Sequence, residues 1–303
     1  MGKNLFIDGQ AGTTGLGIAQ RVAGLAGLRL ITLGEGERKR PEARAAAMAE
    51  ADLTILCLPD DAAREAVALA PKGARILDAS TAHRTAPGWV YGFAEMLPGQ
   101  AERIAKAQYA GNPGCYATGA IALIRPLVEA GLLAPEQPLS INAVSGYSGG
   151  GKAMIAAHEA QGGPAFELYA LGLSHKHIPE IMEYGGLTQR PLFVPSVGHF
   201  AQGMLVSIPL FLAQLAGTPA PARLLELYRD YYAGSGNVVV HPGLWAENLQ
   251  PEGLNGTDRL EIFVAANQAH GHAVLIARLD NLGKGASGAA VQNLKLMLEL
   301  HDE

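Results

Sequence analysis

Asn4-Leu5-Phe6-Ile7-Asp8-Gly9-Gln10-Ala11-Gly12-Thr13-Thr14-Gly15 is an apolar run followed by three evenly spaced glycines. The run predicts a buried strand over Asn4 to Asp8, and a helix is predicted to follow at once. At such a turn Gly9, Gly12 and Gly15 let backbone N–H groups approach a pyrophosphate, with Thr13 and Thr14 between them. We therefore predict a dinucleotide-binding loop. The simpler alternative is a tight turn in an α/β sheet.

Apolar runs and alanine-rich segments alternate outward from this loop. The predicted strands are Asn4 to Asp8, Leu28 to Leu33, Leu53 to Leu58 and Arg75 to Asp78. The predicted helices are Gly15 to Ala26, Pro41 to Glu50 and Asp60 to Ala70, with Pro41 and Asp60 as helix-start residues. This alternation predicts an α/β, Rossmann-like domain built on a doubly wound parallel sheet.

The segment after the second predicted strand bears on which dinucleotide the loop holds. NAD-binding proteins usually carry an acidic residue about 20 residues past the glycines, where it holds the ribose hydroxyls. Here the strand leads through Glu35 into three cations, Arg38, Lys39 and Arg40. These cations would neutralise the 2′-phosphate of NADP, so NADP(H) is the favoured cofactor. Glu35 leaves NAD open, and a solvated basic turn is the simplest alternative.

The pattern changes beyond residue 138, where longer β-like runs have few helices between them. These runs are Leu139 to Ser145, Leu192 to Val197, Met204 to Leu212, Arg259 to Ala265 and Ala273 to Leu279. They predict an α+β domain with a mixed or antiparallel sheet. The last segment, Ala286 to Leu300, has helical spacing and is predicted to return to the first domain. The predicted division is residues 1–113 with 281–303 for NADP, and 114–280 for catalysis, substrate and oligomerisation.

Composition and charge exclude several classes of protein. The 303 residues are 49% hydrophobic and 17% charged, which excludes a disordered chain, and a net charge of -5 offers no basic surface to nucleic acid. The N-terminus enters its first strand directly, so we expect a cytoplasmic protein without membrane contact. Cys57 and Cys115 are too far apart in sequence to suggest a disulfide framework or a zinc site. Two His-x-His pairs lack companion carboxylates, so no metal is predicted.

Cys115 lies in a glycine- and proline-rich turn, Gly111-Asn112-Pro113-Gly114-Cys115, followed by a helical run over Ala120 to Leu133. A thiol at a helix N-terminus meets the positive end of the helix dipole, which favours the nucleophilic thiolate. Cys115 is therefore a candidate for covalent catalysis. Cys57 lies within an apolar strand and is interpreted as a small buried hydrophobe.

Six motifs spread over nearly the whole chain carry a family resemblance. They are GQAGTTG (9–15), DASTAHR (78–84), GNPGCYAT (111–118), SGYSGGGK (145–152), HKHIPEI (175–181) and GASGAAVQN (285–293). The chain resembles the N-acetyl-gamma-glutamyl-phosphate reductase family, in its shorter subtype, which is related to aspartate-semialdehyde dehydrogenase. The resemblance implies that a Cys115 thiolate attacks a small-molecule acyl phosphate, and that NADPH reduces the resulting thioester to an aldehyde. It also implies a homo-oligomer, either a dimer or a tetramer.

Three histidines are candidates for handling protons in that reaction, since imidazole titrates near neutral pH. His175 and His177 are two residues apart, so an extended segment would direct both to one side. The resemblance implies that one of them is the acid/base, and we favour His177, with His175 assisting it or contacting substrate. His199 competes for the role, because semialdehyde dehydrogenases carry a histidine after a similar strand.

The implied substrate carries a phosphate and a carboxylate, so an arginine or lysine should face the site. Arg84 follows the fourth predicted strand, at the sheet edge where ligands bind, and Lys152 follows three glycines. Both are equally consistent with surface residues, and Ala153 after Lys152 excludes a nucleotide-triphosphate loop. The resemblance adds Asn112 and Ser145 as substrate contacts. It also adds Ser80, in the DASTAHR motif, as a cofactor contact.

Other functions fit part of this pattern. Aspartate-semialdehyde dehydrogenase and aminoadipyl-phosphate reductase use the same chemistry on other substrates. A non-catalytic NADP-binding sensor is a different class of protein. An intact Cys115 loop with a paired histidine argues against a sensor, because binding alone needs neither.

Overall fold

The first predicted strand and the glycine turn both form. They are seen in a computed structural model that describes residues 2–300, apart from the side chain of Gln161. Residues 301–303, the end of the predicted NADP-binding domain, lie outside the described residues. The strand runs over Lys3–Asp8, and the helix after the turn begins at Thr13. Successive side chains of the strand point to opposite faces of the sheet and enter two separate cores. Leu5 and Ile7 are buried in one core, and Phe6 is buried in the other.

The elements are numbered in chain order. The strands are β1 (Lys3–Asp8), β2 (Leu28–Ile31), β3 (Leu53–Leu56), β4 (Ile76–Asp78), β5 (Val90–Tyr91), β6 (Tyr109–Gly111), β7 (Ser140–Gly146), β8 (Phe166–Leu168), β9 (Leu192–Gly198), β10 (Met204–Phe211), β11 (Val238–Leu244), β12 (Leu260–Asn267) and β13 (His272–Leu279). The helices are α1 (Thr13–Val22), α2 (Pro41–Glu50), α3 (Asp60–Leu69), α4 (Gln100–Lys106), α5 (Cys115–Glu129), α6 (Gly151–Gln161), α7 (Ile178–Gly185), α8 (Pro221–Tyr231) and α9 (Gly288–Leu298).

The described chain forms two units, residues 2–113 with 286–300 and residues 114–285. The first unit contains a parallel sheet of six strands in the order β2-β1-β3-β4-β6-β5. β1 pairs with both β2 and β3, so the strand order changes direction there, directly before the glycine turn. Open α/β sheets bind ligands at such a switch point. The predicted Rossmann-like fold is confirmed.

Helices cover both faces of this sheet. One core contains side chains from β1, β3 and β4 together with α1, α4 and α9, among them Ile18, Ile104 and Leu294. The other core joins the opposite faces of the same strands to α2 and α3, through Met48 and Ala63. Because α9 lies in the first core, this helix completes a unit whose other elements all lie within residues 2–113.

The second unit contains a mixed sheet of seven strands in the order β11-β12-β13-β10-β7-β9-β8. β7 pairs with β9 and β11 with β12 in parallel, and the other neighbours are antiparallel. The prediction of a mixed sheet is therefore confirmed. α5 packs on β10 and β13, and also against α7 and α8. A Cβ at Gly119 would lie 2.8 Å from Cγ2 of Val206, so a glycine is needed where α5 crosses β10.

The expectation of few helices in the second half is wrong, since α6, α7 and α8 all form there. They are short, and they separate strands whose apolar runs dominate the pattern. The first unit resumes at Ala286 rather than at residue 281. α1 ends at Val22, two residues before Gly24, and so falls short of the predicted end at Ala26. None of the helices within residues 2–300 is long and apolar enough to cross a membrane.

Candidate active site

Cys115 is the first residue of α5, as predicted, and its side chain is half-buried. Gly114 caps the helix, and its carbonyl oxygen accepts hydrogen bonds from the backbone N–H (2.8 Å) and the hydroxyl (3.0 Å) of Thr118. A Cβ at Gly285 would lie 2.8 Å from Cβ of Cys115, so only glycine fits beside the thiol without a shift. The helix dipole therefore acts on a cysteine whose backbone is closely held.

A buried carboxylate lies beside this helix start. Glu180 is 1% exposed, and its Oε2 accepts a hydrogen bond of 3.1 Å from the backbone N–H of Gly114. Its Oε1 lies 4.0 Å from Nε2 of His177. Glu180 thus joins the residue before Cys115 to the favoured acid/base candidate. Sequence analysis missed it, because a glutamate in the first turn of a helix has an ordinary reason to be there.

His175 and His177 lie together in a turn rather than in an extended segment. The N–H of Ile178 donates to the carbonyl oxygen of His175 (3.1 Å), and the N–H of His177 donates to Nδ1 of His175 (3.2 Å). The two ring centroids are 4.7 Å apart. Both rings pack against Tyr116, the residue after the cysteine, with centroid distances of 5.9 and 6.0 Å. The histidine pair therefore borders the first turn of α5.

Two tyrosines that sequence analysis missed complete this cluster. The hydroxyl of Tyr116 donates to the carbonyl oxygen of Ser196 (2.9 Å), and that of Tyr169 lies 3.4 Å from Nε2 of His175. Burial raises the pKa of Tyr169 to about 12; the hydrogen bond to Tyr116 opposes the shift and the charge of Cys115 adds to it. Burial also raises the pKa of Tyr116 well above its usual value. Both phenols are therefore neutral hydrogen-bond donors at physiological pH.

His199 belongs to a different cluster. It follows β9, and its Nδ1 lies 2.9 Å from Nδ1 of His158 on α6. His158 is buried and stacks on Tyr147, with ring centroids 4.7 Å apart. Two Nδ1 atoms at this distance share one proton, since one must donate and the other accept. His199 therefore pairs with another histidine, whereas His177 faces a carboxylate.

Ser145 lies near the end of β7, and Lys152 follows the glycine-rich segment after that strand. Ser145 is 2% exposed, and its hydroxyl donates to the carbonyl oxygen of Gly146 (3.2 Å). Lys152 is the second residue of α6 and is exposed. The lysine thus lies in the first turn of a helix, where its charge and the helix dipole both favour an anion.

In the first unit, the glycine loop is a tight turn that requires glycine. Gly9 has φ +85°, and a Cβ there would lie 2.3 Å from the carbonyl oxygen of Cys57. A Cβ at Gly15 would lie 2.7 Å from the carbonyl oxygen of Gly9, which accepts the N–H of Gly12 at 3.0 Å. Gly12 is the N-cap of α1 and provides no side chain, and Thr13 and Thr14 begin the helix. The first amides of α1 are thus available to an anionic ligand.

A cleft of about 120 Å³ opens beside this loop and is lined by Asp8, Gly9, Leu33 and Arg38, among others. Nε of Arg38 donates to the carbonyl oxygen of Leu33 (3.2 Å), which fixes the arginine at the rim. The other two predicted cations, Lys39 and Arg40, are exposed, and Arg40 is the N-cap of α2. Of the three, Arg38 is the one that lines the cleft.

A further cation near this cleft was missed. Arg44, on α2, is 7% exposed, and its Nε donates to Oδ2 of Asp8 (2.8 Å), the last residue of β1. Burial raises the pKa of Asp8, and the hydrogen bond and charge of Arg44 oppose that shift. A buried ion pair therefore holds α2 against the end of β1.

The DASTAHR motif forms a network around a buried carboxylate. Asp78 is 1% exposed and accepts hydrogen bonds from the N–H (2.9 Å) and hydroxyl (2.7 Å) of Ser80. Nδ1 of His83 lies 2.6 Å from Oδ2 of Asp78, and the His83 ring stacks on Trp89. Arg84 is buried, and its Nη2 donates to the carbonyl oxygen of Ala79 (3.3 Å). The predicted ligands Ser80 and Arg84 thus also hold the turn after β4.

Asn112 is buried three residues before the cysteine. Its backbone N–H donates to the carbonyl oxygen of Asp78 (2.7 Å) and its Nδ2 to that of Ala286 (3.1 Å). Its Oδ1 accepts from Nδ2 of Asn293 (3.1 Å). These bonds fix the end of β6 within its unit. Within residues 2–300, no three His, Cys, Asp or Glu side chains are arranged to hold a metal ion.

Comparison with known proteins identifies the family. Residues 115–281 match the family described as semialdehyde dehydrogenase, dimerisation domain. N-acetyl-gamma-glutamyl-phosphate reductase 2 of Pseudomonas putida is 54% identical over 97% of this chain and 96% of that protein. The chain belongs to the N-acetyl-gamma-glutamyl-phosphate reductase family. The Brucella ovis member is 50% identical over 98% of this chain and 99% of its own. The family predicted from the six motifs is therefore confirmed.

Solved structures with the same fold are more distant in sequence. Aspartate semialdehyde dehydrogenase II from Vibrio cholerae has a TM-score of 0.73 at 15% identity, covering 100% of both chains. Aspartate semialdehyde dehydrogenase with NADP from Candida albicans has a TM-score of 0.68 at 14% identity, covering 98% of this chain and 99% of that one. These similarities establish that the N-acetyl-gamma-glutamyl-phosphate reductase family shares its fold with semialdehyde dehydrogenases.

Proposed function

We propose that this chain reduces N-acetyl-gamma-glutamyl phosphate to N-acetyl-glutamate semialdehyde and phosphate, with NADPH as the reductant. One observation carries the proposal. Glu180 accepts a hydrogen bond from the N–H of Gly114, the N-cap of the Cys115 helix, and lies 4.0 Å from Nε2 of His177, so one buried carboxylate borders both the start of the cysteine's helix and an imidazole. Covalent catalysis requires a nucleophile, a base that takes its proton, and a third group that orients the base. The names of the full-length relatives support the substrate.

The first unit fits a dinucleotide. A ligand pyrophosphate would lie against the glycine loop, where a Cβ at Gly9 or Gly15 would meet backbone atoms, and at the first amides of α1. Arg38 at the cleft rim supplies a positive charge for the 2′-phosphate that distinguishes NADP from NAD. When bound, the nicotinamide supplies the hydride that reduces the thioester carbonyl.

The thiol attacks first in the proposed reaction. The Cys115 sulfur bonds to the acyl carbon, the bond from that carbon to the phosphate oxygen breaks, and a thioester and inorganic phosphate result. The dipole of α5 stabilises the thiolate before attack, and the first amides of the helix stabilise negative charge on the carbonyl oxygen. The N-terminus of α5 therefore stabilises negative charge twice, first on the thiolate and then on the carbonyl oxygen.

His177 handles the proton in this scheme. It accepts the thiol proton and holds it while the thioester exists, with Glu180 at 4.0 Å stabilising the imidazolium. It gives the proton to the carbonyl oxygen as that oxygen gains negative charge. When the proton is removed again, the C–S bond breaks and the aldehyde leaves. The polar contact between the Tyr169 hydroxyl and Nε2 of His175 holds the His175 ring, which in turn packs against the ring of His177.

The chain is also proposed to act as a homo-oligomer. The matched family is described as a dimerisation domain, and the match spans residues 115–281, nearly all of the second unit. The proposal assigns self-association to the unit that carries Cys115 and cofactor binding to the unit that carries the glycine loop.

The reverse reaction tests the function directly. The protein is incubated with NADP⁺, phosphate and N-acetyl-glutamate semialdehyde, and NADPH formation is followed by absorbance. Aspartate semialdehyde replaces the substrate in a parallel reaction. We expect turnover with the acetylated substrate and little with the other, because the family is named for the first. No absorbance gain with either substrate refutes the enzyme, and a preference for aspartate semialdehyde refutes the substrate.

Cys115→Ser is the matched variant, since a serine hydroxyl is a far weaker nucleophile than a thiolate. It should abolish turnover and leave NADPH binding unchanged in a fluorescence titration, because the glycine loop belongs to the other unit. Turnover at the wild-type rate would exclude covalent catalysis by Cys115.

A further inference from the structure

An ion pair lies buried in the first unit, where the first strand ends. Asp8 is the last residue of β1 and Arg44 lies near the start of α2, and the two residues are 5% and 7% exposed. Nε and Nη2 of Arg44 lie 2.8 and 2.7 Å from Oδ2 of Asp8. Removing two charges from water costs free energy that their attraction often only balances, so burial of an ion pair is weak evidence for a stabilising role. The position of this pair gives it another role.

The carboxylate of the pair belongs to the lining of the cleft. Asp8 lines it together with Gly9 and Arg38, and directly precedes the glycine loop. The carboxylate also accepts a hydrogen bond from the backbone N–H of Gly9. A cleft of about 120 Å³ spans only a few ångströms, so a phosphate beside Arg38 would lie within the Debye length, roughly 8 Å, of Asp8. The charge of Asp8 therefore acts on any anion that enters.

An unpaired carboxylate at this position would select against NADP. It would repel the pyrophosphate and, in NADP, the additional 2′-phosphate. It would also resemble the acidic residue that holds the ribose hydroxyls in NAD-binding proteins. Arg44 offsets the charge of Asp8 at hydrogen-bond distance, and it is buried, whereas Arg38 lines the cleft itself. The two arginines therefore differ in what they act on.

We propose that Arg44 is a specificity-determining residue that acts through Asp8: it neutralises the carboxylate, so that a 2′-phosphate meets the charge of Arg38 without an opposing anion. The inference rests on the proposed function, in which NADPH is the reductant. Arg38 attracts the 2′-phosphate directly. Arg44 favours NADPH without touching it, by masking a carboxylate that would otherwise favour NADH.

Two variants separate this indirect action from direct contact. Arg44→Met removes the guanidinium and keeps an unbranched side chain in the core. Asp8→Asn/Arg44→Met removes the carboxylate as well. The double variant should fold, because neutral groups of similar volume often replace a buried ion pair without loss of stability. Urea titrations establish that each variant is folded.

An ion pair at the other end of the same strand and helix provides the control. Arg29 on β2 pairs with Glu50, the last residue of α2, and both side chains are exposed. Arg29 lies opposite Asn4, four residues before Asp8 on β1, which is roughly 13 Å along the strand from Asp8. Arg29→Met therefore makes the same change in net charge at a distance from the cleft.

Fluorescence titration of the full chain gives the dissociation constants of NADPH and NADH. It is carried out at pH 9, where we expect Asp8 to be ionised although burial raises its pKa. Arg44→Met should raise the constant for NADPH about thirtyfold and that for NADH about threefold, because only NADPH adds a 2′-phosphate to the repelled charge. Asp8→Asn/Arg44→Met should return both constants close to the wild-type values. Arg29→Met should bind both nucleotides like the wild type.

Three results overturn the proposal. If the double variant binds NADPH as weakly as Arg44→Met, the guanidinium contacts the cofactor directly. If Arg44→Met binds NADPH like the wild type, the ion pair only holds α2 in place. If Arg44→Met loses affinity for NADPH and NADH equally, the pair does not distinguish the two nucleotides.

Failure of the proposed function gives a different result. A wild-type protein that binds neither nucleotide refutes the proposed cofactor itself, whereas a wild-type protein that binds NADPH leaves the variants to decide the role of Arg44. If Arg44→Met does not fold, the double variant decides alone. NADPH affinity close to that of the wild type supports neutralisation, and a loss as large as that of Arg38→Ala overturns it.

Discussion

Replacing Glu180 by glutamine tests whether its charge drives the proposed chemistry. Glutamine keeps an oxygen that can accept the N–H of Gly114, now 3.1 Å from Oε2, but removes the negative charge 4.0 Å from Nε2 of His177. The charge stabilises an imidazolium, so its loss should slow the steps in which His177 carries a proton. Because Glu180 is 1% exposed, water does not replace the lost interaction.

The geometry sets the size of the effect. Two unit charges 4.0 Å apart interact by about 4 kcal/mol at an effective dielectric constant of about 20, which is a ceiling for the loss. Relaxation and the retained hydrogen bond reduce it, and about half of that free energy corresponds to roughly a thirtyfold lower kcat. KM should change little.

Two companion variants separate charge from structure. Glu180→Ala removes the acceptor as well and leaves the buried N–H of Gly114 unsatisfied, which should lower the free energy of unfolding by about 1–3 kcal/mol in urea titrations. Glu183→Gln changes an exposed glutamate on the same helix and should leave rate and stability unchanged. If Glu180→Gln matches Glu183→Gln in kcat, the carboxylate has no role in the reaction.

Three further outcomes are expected. Iodoacetamide at pH 8 should alkylate Cys115 and spare Cys57. Burial raises the pKa of the Cys57 thiol to about 12, so only about 10⁻⁴ of the Cys57 side chains are thiolate at that pH. Peptide mass spectrometry locates the label, and comparable labelling of the two cysteines contradicts the prediction. His177→Asn should lower kcat far more than His199→Asn, and the reverse order in steady-state assays would transfer the acid/base role to His199. Arg38→Ala should weaken NADPH binding roughly tenfold and NADH binding little, as measured by fluorescence titration; equal losses would exclude the arginine from the 2′-phosphate site.

Local sequence signals predicted the first unit well, because its elements depend on local chemistry. The apolar run before Gly9 forms β1, and Pro41 begins α2 as expected. β6, at Tyr109–Gly111, was missed because three residues ending in glycine provide no alternating pattern. It is held in the sheet by its pairing with β4, which is a long-range interaction.

The candidate site also has features that local sequence signals predict and features that depend on long-range contacts. The thiol at a helix start was predictable from the turn Gly111 to Gly114, since that signal is local. The carboxylate beside that helix start was not, because Glu180 is 66 residues away from the amide of Gly114 that it binds. Tyr169 was missed for a related reason: it contacts His175 across a loop whose left-handed residues, Ala170 and Leu173, are an alanine and a leucine rather than glycines.

The position of α9 has a consequence for how the protein is made. Ala290, Leu294 and Met297 of this helix are buried in the same core as Leu5 and Ile7 of β1. A ribosome therefore completes every residue of the unit at 114–285 before it adds the helix that the N-terminal core requires. The N-terminal unit is therefore the first to be synthesised and the last to complete its hydrophobic core. A nascent chain that stops before residue 288 would carry an intact glycine loop on a sheet with one apolar face only partly covered, by α1 and α4 without α9.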